Sequence, residues 1–590
     1  MSKKLYFIAL LSFSTLIFSC KKDLVDPYDT AGNTSSVVST NSILVQTVDV
    51  NGNPISGVNV ELDGTSKTSD ANGVVQFTSM SLPSENASLV SSKSGYYKNQ
   101  SVISPEANEE LSIVVTLDEA TTVSVNGSNG GRVDCENGGY IEFGADGFLN
   151  ANGSIYSGDV NVAAKYIDPA TATNNKVIPN SFSGLDEKGE SVFVENHGML
   201  QVEIMDASGN ELTINPDNKA ELHIPVTAAD ASNPENKLPL YYFHEGYGKW
   251  IEDGQVKLKD GEYVGEVSHF TFWMCPFVYD HYSLSGQFQC QGTNFSGATV
   301  NVYNEWGYLL GSVTTNVAGG WSGSIPGTIT HTLEVEDPCG GVIYSETIGP
   351  FTSNTNMGAI DLCSGSSVNY GIVSGTAVDC NNDPDSEAYV RMQFDGWSRY
   401  LPANISGAFN QAVIFCDAST EVNFMGINQG DLTTSGELTL PISNNMDFGA
   451  LEVCSTPDQY AAFTLNGTDY FYVPNASTTF FCKLNVSNPV QSQIAVSTSN
   501  PNQVRFTIGH FDVTTGSHTI DGGPFTFAFE LKGGQVGSSL TFELTTVGSA
   551  VGEYVEGTIA TTQNYDDGWD TGGSNIGDAT FRFMVTEYIP

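Results

Sequence analysis

The chain has 590 residues, with 67 acidic against 22 basic side chains and a formal net charge of -45. That length exceeds what one core can serve and divides into roughly four to six domains, while so strong a negative charge excludes nucleic acid and anionic lipid headgroups as electrostatic partners. Its 61 glycines, with short alternating runs of Val, Ile, Thr, Tyr and Phe and no long amphipathic helix, predict an all-β chain.

At the N-terminus, Lys3 and Lys4 precede an apolar run from Leu5 to Ser19 that ends at Cys20. A basic start, a short apolar segment and a small residue before a cleavage point describe a secretory signal, too short to cross a bilayer as a mature helix. The Cys directly after the small residue resembles the lipobox of bacterial lipoproteins, with Phe18 bulkier than the usual residue there. The resemblance implies that 1–19 is removed and that Cys20 is acylated as the new N-terminus; the alternative is an ordinary signal peptide with an incidental Cys. Lys21 replaces the Asp that favours inner-membrane retention, and the charged run Lys21-Lys22-Asp23 resembles the export signal of Gram-negative surface lipoproteins. The expectation is a protein anchored by lipid to the outer membrane and displayed at the cell surface. Residues 20–40 are polar and read as a flexible tether.

Residues 41–118 alternate in short strands. Val45-Gln46-Thr47-Val48 runs into the turn Asn51-Gly52-Asn53-Pro54, and Ile55-Ser56-Gly57-Val58-Asn59-Val60 follows with apolar residues two apart. A second turn closes on Asp70, Asn72 and Gly73, and Lys93-Ser94-Gly95-Tyr96 comes later. This series of motifs resembles the carboxypeptidase regulatory-like family, which implies a transthyretin-like β-sandwich without catalytic residues. Asp49 to Asn53 and Asp70 to Gly73 are explained by turn chemistry.

Residues 119–278 form a larger β-rich module. Leu222-His223-Ile224-Pro225-Val226 puts its apolar residues on one face and His223 on the other. The ordered segments Ile167-Asp168-Pro169, His197-Gly198-Met199, Gly248-Lys249-Trp250 and Val267-Ser268-His269-Phe270 are similar to the β-rich, non-catalytic region of cartilage intermediate layer protein. His244-Glu245 is the nearest start of a zinc-peptidase motif, but Gly246-Tyr247-Gly248 supplies no second His and no helix. A hairpin edge is the reading for that pair, and a structural, hydrogen-bonded role is the reading for His269.

Residues 279–366 and 367–456 are internal repeats, since Met357-Gly358-Ala359-Ile360-Asp361-Leu362-Cys363 matches Phe448-Gly449-Ala450-Leu451-Glu452-Val453-Cys454. The period of about 90 residues suits one immunoglobulin-like sandwich each. Ten cysteines in an oxidising compartment predict disulfides or buried thiols. Setting Cys20 aside leaves an odd number, so at least one stays unpaired or pairs with another chain. Shared positions make Cys290–Cys363 and Cys380–Cys454 the economical pairings, leaving Cys339 and Cys416 unassigned.

Residues 457–590 match no named family and read as a further sandwich. Their acidic loop Asp566-Asp567-Gly568-Trp569-Asp570 offers clustered oxygens for calcium beside an aromatic ring for a sugar, against the alternative of a solvated loop tip. No G-x-S-x-G elbow, P-loop or dinucleotide fingerprint is found. The sequence thus predicts about five tandem β-sandwich modules, strung as a stalk or interaction scaffold, non-catalytic, whose last module lies farthest from Cys20 and meets glycans or surface proteins. The competing expectations are a carbohydrate-binding accessory lipoprotein and an unrecognised hydrolase in the C-terminal module.

Overall fold

The computed structural model describes residues 36–589 except 41, 71, 109, 172–175, 291, 296, 317, 328, 338–339, 364–367, 395–396, 417–418, 429, 456, 458, 466–467, 474–477, 488–491, 499–504, 510–512, 521–526, 531–539, 560–562 and 566–573. The protein is all-β: fifty strands and no α-helix occur among the described residues.

Three stretches share one sandwich topology. In the first, Ser42–Val48 lies between Val74–Thr78 and Glu110–Thr116, facing a second sheet of Thr65–Thr68, Asn59–Leu62, Ala87–Ser92 and Asn99–Ile103. The opening strand is antiparallel to the fourth of these in chain order and parallel to the last. His281–Cys290 repeats the pattern with Gly320–Pro326 and Thr355–Asp361, and Tyr370–Val378 with Ala408–Ile414 and Asn445–Glu452. A parallel closing strand must cross over the sandwich instead of turning back as a hairpin, so three occurrences describe one repeated unit.

Turn chemistry repeats with it. Asp70 Oδ1 accepts the backbone N–H groups of Asn72 and Val74, Asn316 Oδ1 those of Ala318 and Gly320, and Asn404 Oδ1 those of Ser406 and Ala408. Each turn ends in a glycine, Gly73, Gly319 or Gly407, with φ of +75°, +74° and +70°. A Cβ there would sit on the carbonyl oxygen of Thr47, Phe288 or Ala377, respectively, in the opening strand. The glycine is therefore required twice, by backbone conformation and by close approach.

Between the first and second copies, an eleven-stranded sheet runs from Thr122–Asn126 at one end to Gly131–Asp134 at the other. Its two ends meet at an Asn126–Gly130 bridge, so the sheet rolls around Phe143, Phe148, Leu200, Leu222, Trp273 and Cys275. The C-terminal stretch has a seven-stranded and a five-stranded sheet packed over Phe480, Leu484, Ile494, Val555, Phe581 and Phe583.

The expectation of a strung stalk is corrected. Ser42–Val48 has no exposed residue on either face, because Leu44 and Val74 belong to one apolar cluster with Tyr389, Tyr400, Met425 and Ile427 of the third sandwich and Ala462, Phe471 and Val473 of the C-terminal stretch. The last module accordingly shares one apolar cluster with the first and third sandwiches instead of standing apart from them.

Replacing Gly407 by Ala is expected to cost well over 1 kcal/mol, read as a lowered midpoint in urea. Gly436→Ala, with φ +74° but open space around it, carries only the backbone strain. Equal losses in the two variants would refute the close-approach argument.

Candidate interaction site at the module junctions

The residues singled out by sequence separate sharply. Cys20, and Asp566, Asp567, Trp569 and Asp570 of the acidic loop, lie outside the described residues. Cys290 is joined to Cys363 and Cys380 to Cys454, each tying the opening strand of a sandwich to the end of its closing strand. Cys416 is disulfide-bonded as well, a pairing that the repeat did not predict. Cys135, Cys275 and Cys482 are buried free thiols; burial pushes those of Cys135 and Cys482 up to about 12, which leaves them unreactive at neutral pH. Asp361 lies beside Cys290 and Cys363, but a disulfide supplies no thiolate for a metal. His269 packs edge-on to Tyr242, centroids 4.4 Å apart, and burial lowers its pKa to about 4, so its imidazole is neutral.

The polar groups that the sequence reading missed are concentrated where modules meet. At the junction of the first and third sandwiches, the Tyr389 hydroxyl donates to Asp70 Oδ2 over 2.9 Å. The Ser112 hydroxyl donates to the Tyr400 carbonyl over 2.9 Å, and Gln76 Nε2 to the Ser386 carbonyl over 3.4 Å. Asp70 thus uses one oxygen for its own turn and the other for a neighbour more than 300 residues away. A cleft of about 220 Å³ opens beside it, lined by Lys67, Asp70, Gln76, Glu387 and Tyr389 among others. Burial drives the Asp70 carboxyl up to about 6, against the hydrogen bonds from Val74, Tyr389 and Asn72 that favour its anion.

At the junction of the first sandwich and the rolled sheet, strand Asn99–Ile103 is a sheet edge. Asn180 completes it, donating to the Val102 carbonyl and accepting from the Val102 amide, both at 2.9 Å. Gln201 Nε2 donates to the Lys98 carbonyl over 2.7 Å. Glu245, of the rejected peptidase motif, ion-pairs with Lys98 at 3.5 Å and accepts from Gln100. An edge that would otherwise invite another strand is closed by side-chain amides.

The rolled sheet meets the second sandwich through a buried polar cluster. Strand Ser191–Asp206 carries a bulge between Asn196 and Met199, which turns His197 inward. His197 Nδ1 lies 2.7 Å from Asp230 Oδ2, its Nε2 lies 3.9 Å from Glu195 Oε2, and its ring packs on Phe277. Asn304 donates to Glu195 from across the junction, while its Oδ1 accepts the amides of Trp306 and Tyr308. Burial opposes both charges, but hydrogen bonding and the opposite charge prevail: Glu195 is held below the usual carboxylate range and His197 above that of imidazole. The two side chains lie at 0% and 1% exposure, where removing one partner would strand the other.

The second and third sandwiches meet where Arg399 Nη2 donates to the Gly297 carbonyl over 3.2 Å. Chemically, these groups position and lock; the acids and imidazoles at the junctions are engaged with protein partners.

No family model and no curated protein matches the chain. Among solved structures, the shaft pilin SpaA from Lactobacillus rhamnosus GG is 10% identical and covers 30% of this chain and 96% of its own, with a TM-score of 0.16. The Bacillus anthracis TIE protein is 10% identical over 72% of this chain and 69% of its own, with a TM-score of 0.15. GBS52, the minor pilin of Streptococcus agalactiae, is 10% identical over 30% and 97%, with a TM-score of 0.13. Scores of this size carry no argument about the role of the chain.

Because Asp70 holds its proton more tightly when folded, its contribution is full below about pH 3.8 and is lost as pH rises through about 6. The loss is on the order of 3 kcal/mol. Asp70→Asn keeps the turn acceptor and removes the ionisation, so its stability measured by urea denaturation should lack this decline between pH 4 and 7. An unchanged pH slope in the variant would reject the assignment.

Proposed function

We propose that the protein is a non-catalytic, lipid-anchored scaffold or adhesion protein of the outer membrane, displayed at the cell surface, whose modules act as one locked block. The observation that carries this reading is the apolar cluster of Leu44, Val74, Tyr389, Tyr400, Met425, Ile427, Ala462, Phe471 and Val473, which joins three modules distant in sequence. A catalytic chain needs its titratable groups free to meet substrate, whereas Asp70, Glu195 and Glu245 are spent on inter-module contacts and His197 on Asp230 of its own module. The Cys20 motif supports the anchor, and disulfides such as Cys290–Cys363 and Cys380–Cys454 suit an oxidising compartment.

Two measurements test it. Full-length protein expressed in a Gram-negative host should take up labelled palmitate and become accessible to external protease in intact cells, with both lost in Cys20→Ala; labelling that persists in that variant would remove the anchor. In the soluble chain, Leu44→Glu should split one cooperative thermal transition into at least two, because a buried charge forces the first and third sandwiches apart. A single unsplit transition in that variant would remove the locked block.

A further inference from the structure

The outward face of the rolled sheet carries a row of acids. Glu142, Glu221 and Glu266 stand directly opposite one another on the neighbouring strands Tyr140–Phe143, Ala220–Pro225 and Glu262–Val267. Like charges in register across strands oppose sheet formation. Arg132, opposite Glu142 on the next strand, is engaged elsewhere: it donates to Asp134 over 2.8 Å and lies 3.5 Å from the centre of the Tyr140 ring.

His223 follows Glu221 by two residues and therefore shares its face. The residue is only 5% exposed. Its ring stacks on Tyr140, with centroids 3.9 Å apart and planes 15° from parallel. Nε2 lies 2.9 Å from Glu221 Oε1 and Nδ1 3.2 Å from Glu262 Oε2. The ring is thus held on both its flat side and its edge, with one nitrogen turned toward the acidic row. One donor atom each from Glu142, Glu221 and His223 falls within 4.8 Å of the others. A tetrahedral zinc ion needs its donors about 3.4 Å apart, and the exposed Glu142 side chain is free to close that difference.

We propose that Glu142, Glu221 and His223 bind one divalent transition-metal ion of the zinc class, with Glu262 as a positioning residue on His223 Nδ1. An imidazole among two carboxylates selects zinc-like ions over calcium or magnesium, which prefer all-oxygen shells. A carboxylate on the second ring nitrogen fixes the tautomer that presents Nε2 to the ion. Three protein ligands leave further coordination for water or for a donor from another molecule.

The test is a calorimetric titration of the full chain in detergent with Zn²⁺, in the presence of excess Ca²⁺ to occupy nonspecific carboxylates, paired with Co²⁺ absorption as a geometric readout. One ion should bind per chain, and Co²⁺ should give the visible bands of a four- or five-coordinate site. Glu142→Gln, at an exposed position, should weaken Zn²⁺ at least 10-fold without loss of thermal stability. Glu262→Gln should weaken it about 10- to 100-fold, and His223→Gln should abolish the Co²⁺ bands. Failure to find one Zn²⁺ per chain, displacement of it by Ca²⁺, or affinity unaltered in both Glu variants would overturn the site. The row would then be a solvated acidic surface around His223.

Discussion

A strand buried on both faces governs the arrangement of this protein. Ser42–Val48 covers one face with the core of its own sandwich, where Ile43 and Val45 pack. Its other face, led by Leu44, is joined within that module by Val74 and is otherwise covered from outside it. Leaving a Leu and the neighbouring Val74 in water forfeits about 1.5–3 kcal/mol for each side chain. A second apolar sheet face must therefore be brought from elsewhere, and Tyr389, Tyr400, Met425 and Ile427 supply it. That return across hundreds of residues constrains what lies between: the rolled sheet and the second sandwich must lie so that the chain comes back.

Junctions between modules bury polar backbone and side chains, and those groups need partners. The protein answers repeatedly with the same economical device. An Asx residue caps its own turn with one side-chain atom and reaches the next module with the other. Asp70 does so with Oδ1 on Asn72 and Val74 and Oδ2 on Tyr389; Asn304 does so with Oδ1 on Trp306 and Tyr308 and Nδ2 on Glu195. A turn residue is already ordered before docking, so the inter-module bond costs little additional side-chain entropy. Where Asn180 fastens the edge strand, both atoms of its amide go instead to the one residue Val102 of the neighbouring module.

The all-β class was legible in the alternating runs and Gly-rich turns, and the common Cys positions of the two repeats pointed to the pairs that the structure joins. The docking was not legible, because an alternation argument assigns each strand one buried face and treats the other as solvent. Ile43-Leu44-Val45 breaks alternation, and a continuous apolar run is the signature of burial on both sides; that was the available signal. Turn chemistry was read correctly at Asp70, yet its second oxygen was invisible because Tyr389 lies 319 positions away. For His223 the outward face could be read from its strand, whereas Glu142, some eighty positions earlier, joins it only through strand register.

Register also explains why the acidic row differs from the remaining negative surface. With a net charge of -45, most carboxylates lower their mutual repulsion by spreading apart and by attracting salt. Neighbouring strands are about 4.8 Å apart, well inside the Debye length of about 8 Å at physiological ionic strength. Diffuse counterions therefore screen Glu142, Glu221 and Glu266 poorly, and the hydrogen bonds of the sheet prevent them from moving apart. Relief requires positive charge placed between the side chains. His223 stands at that place, its Nε2 2.9 Å from Glu221 Oε1, so an ion held there would carry the charge that the row lacks.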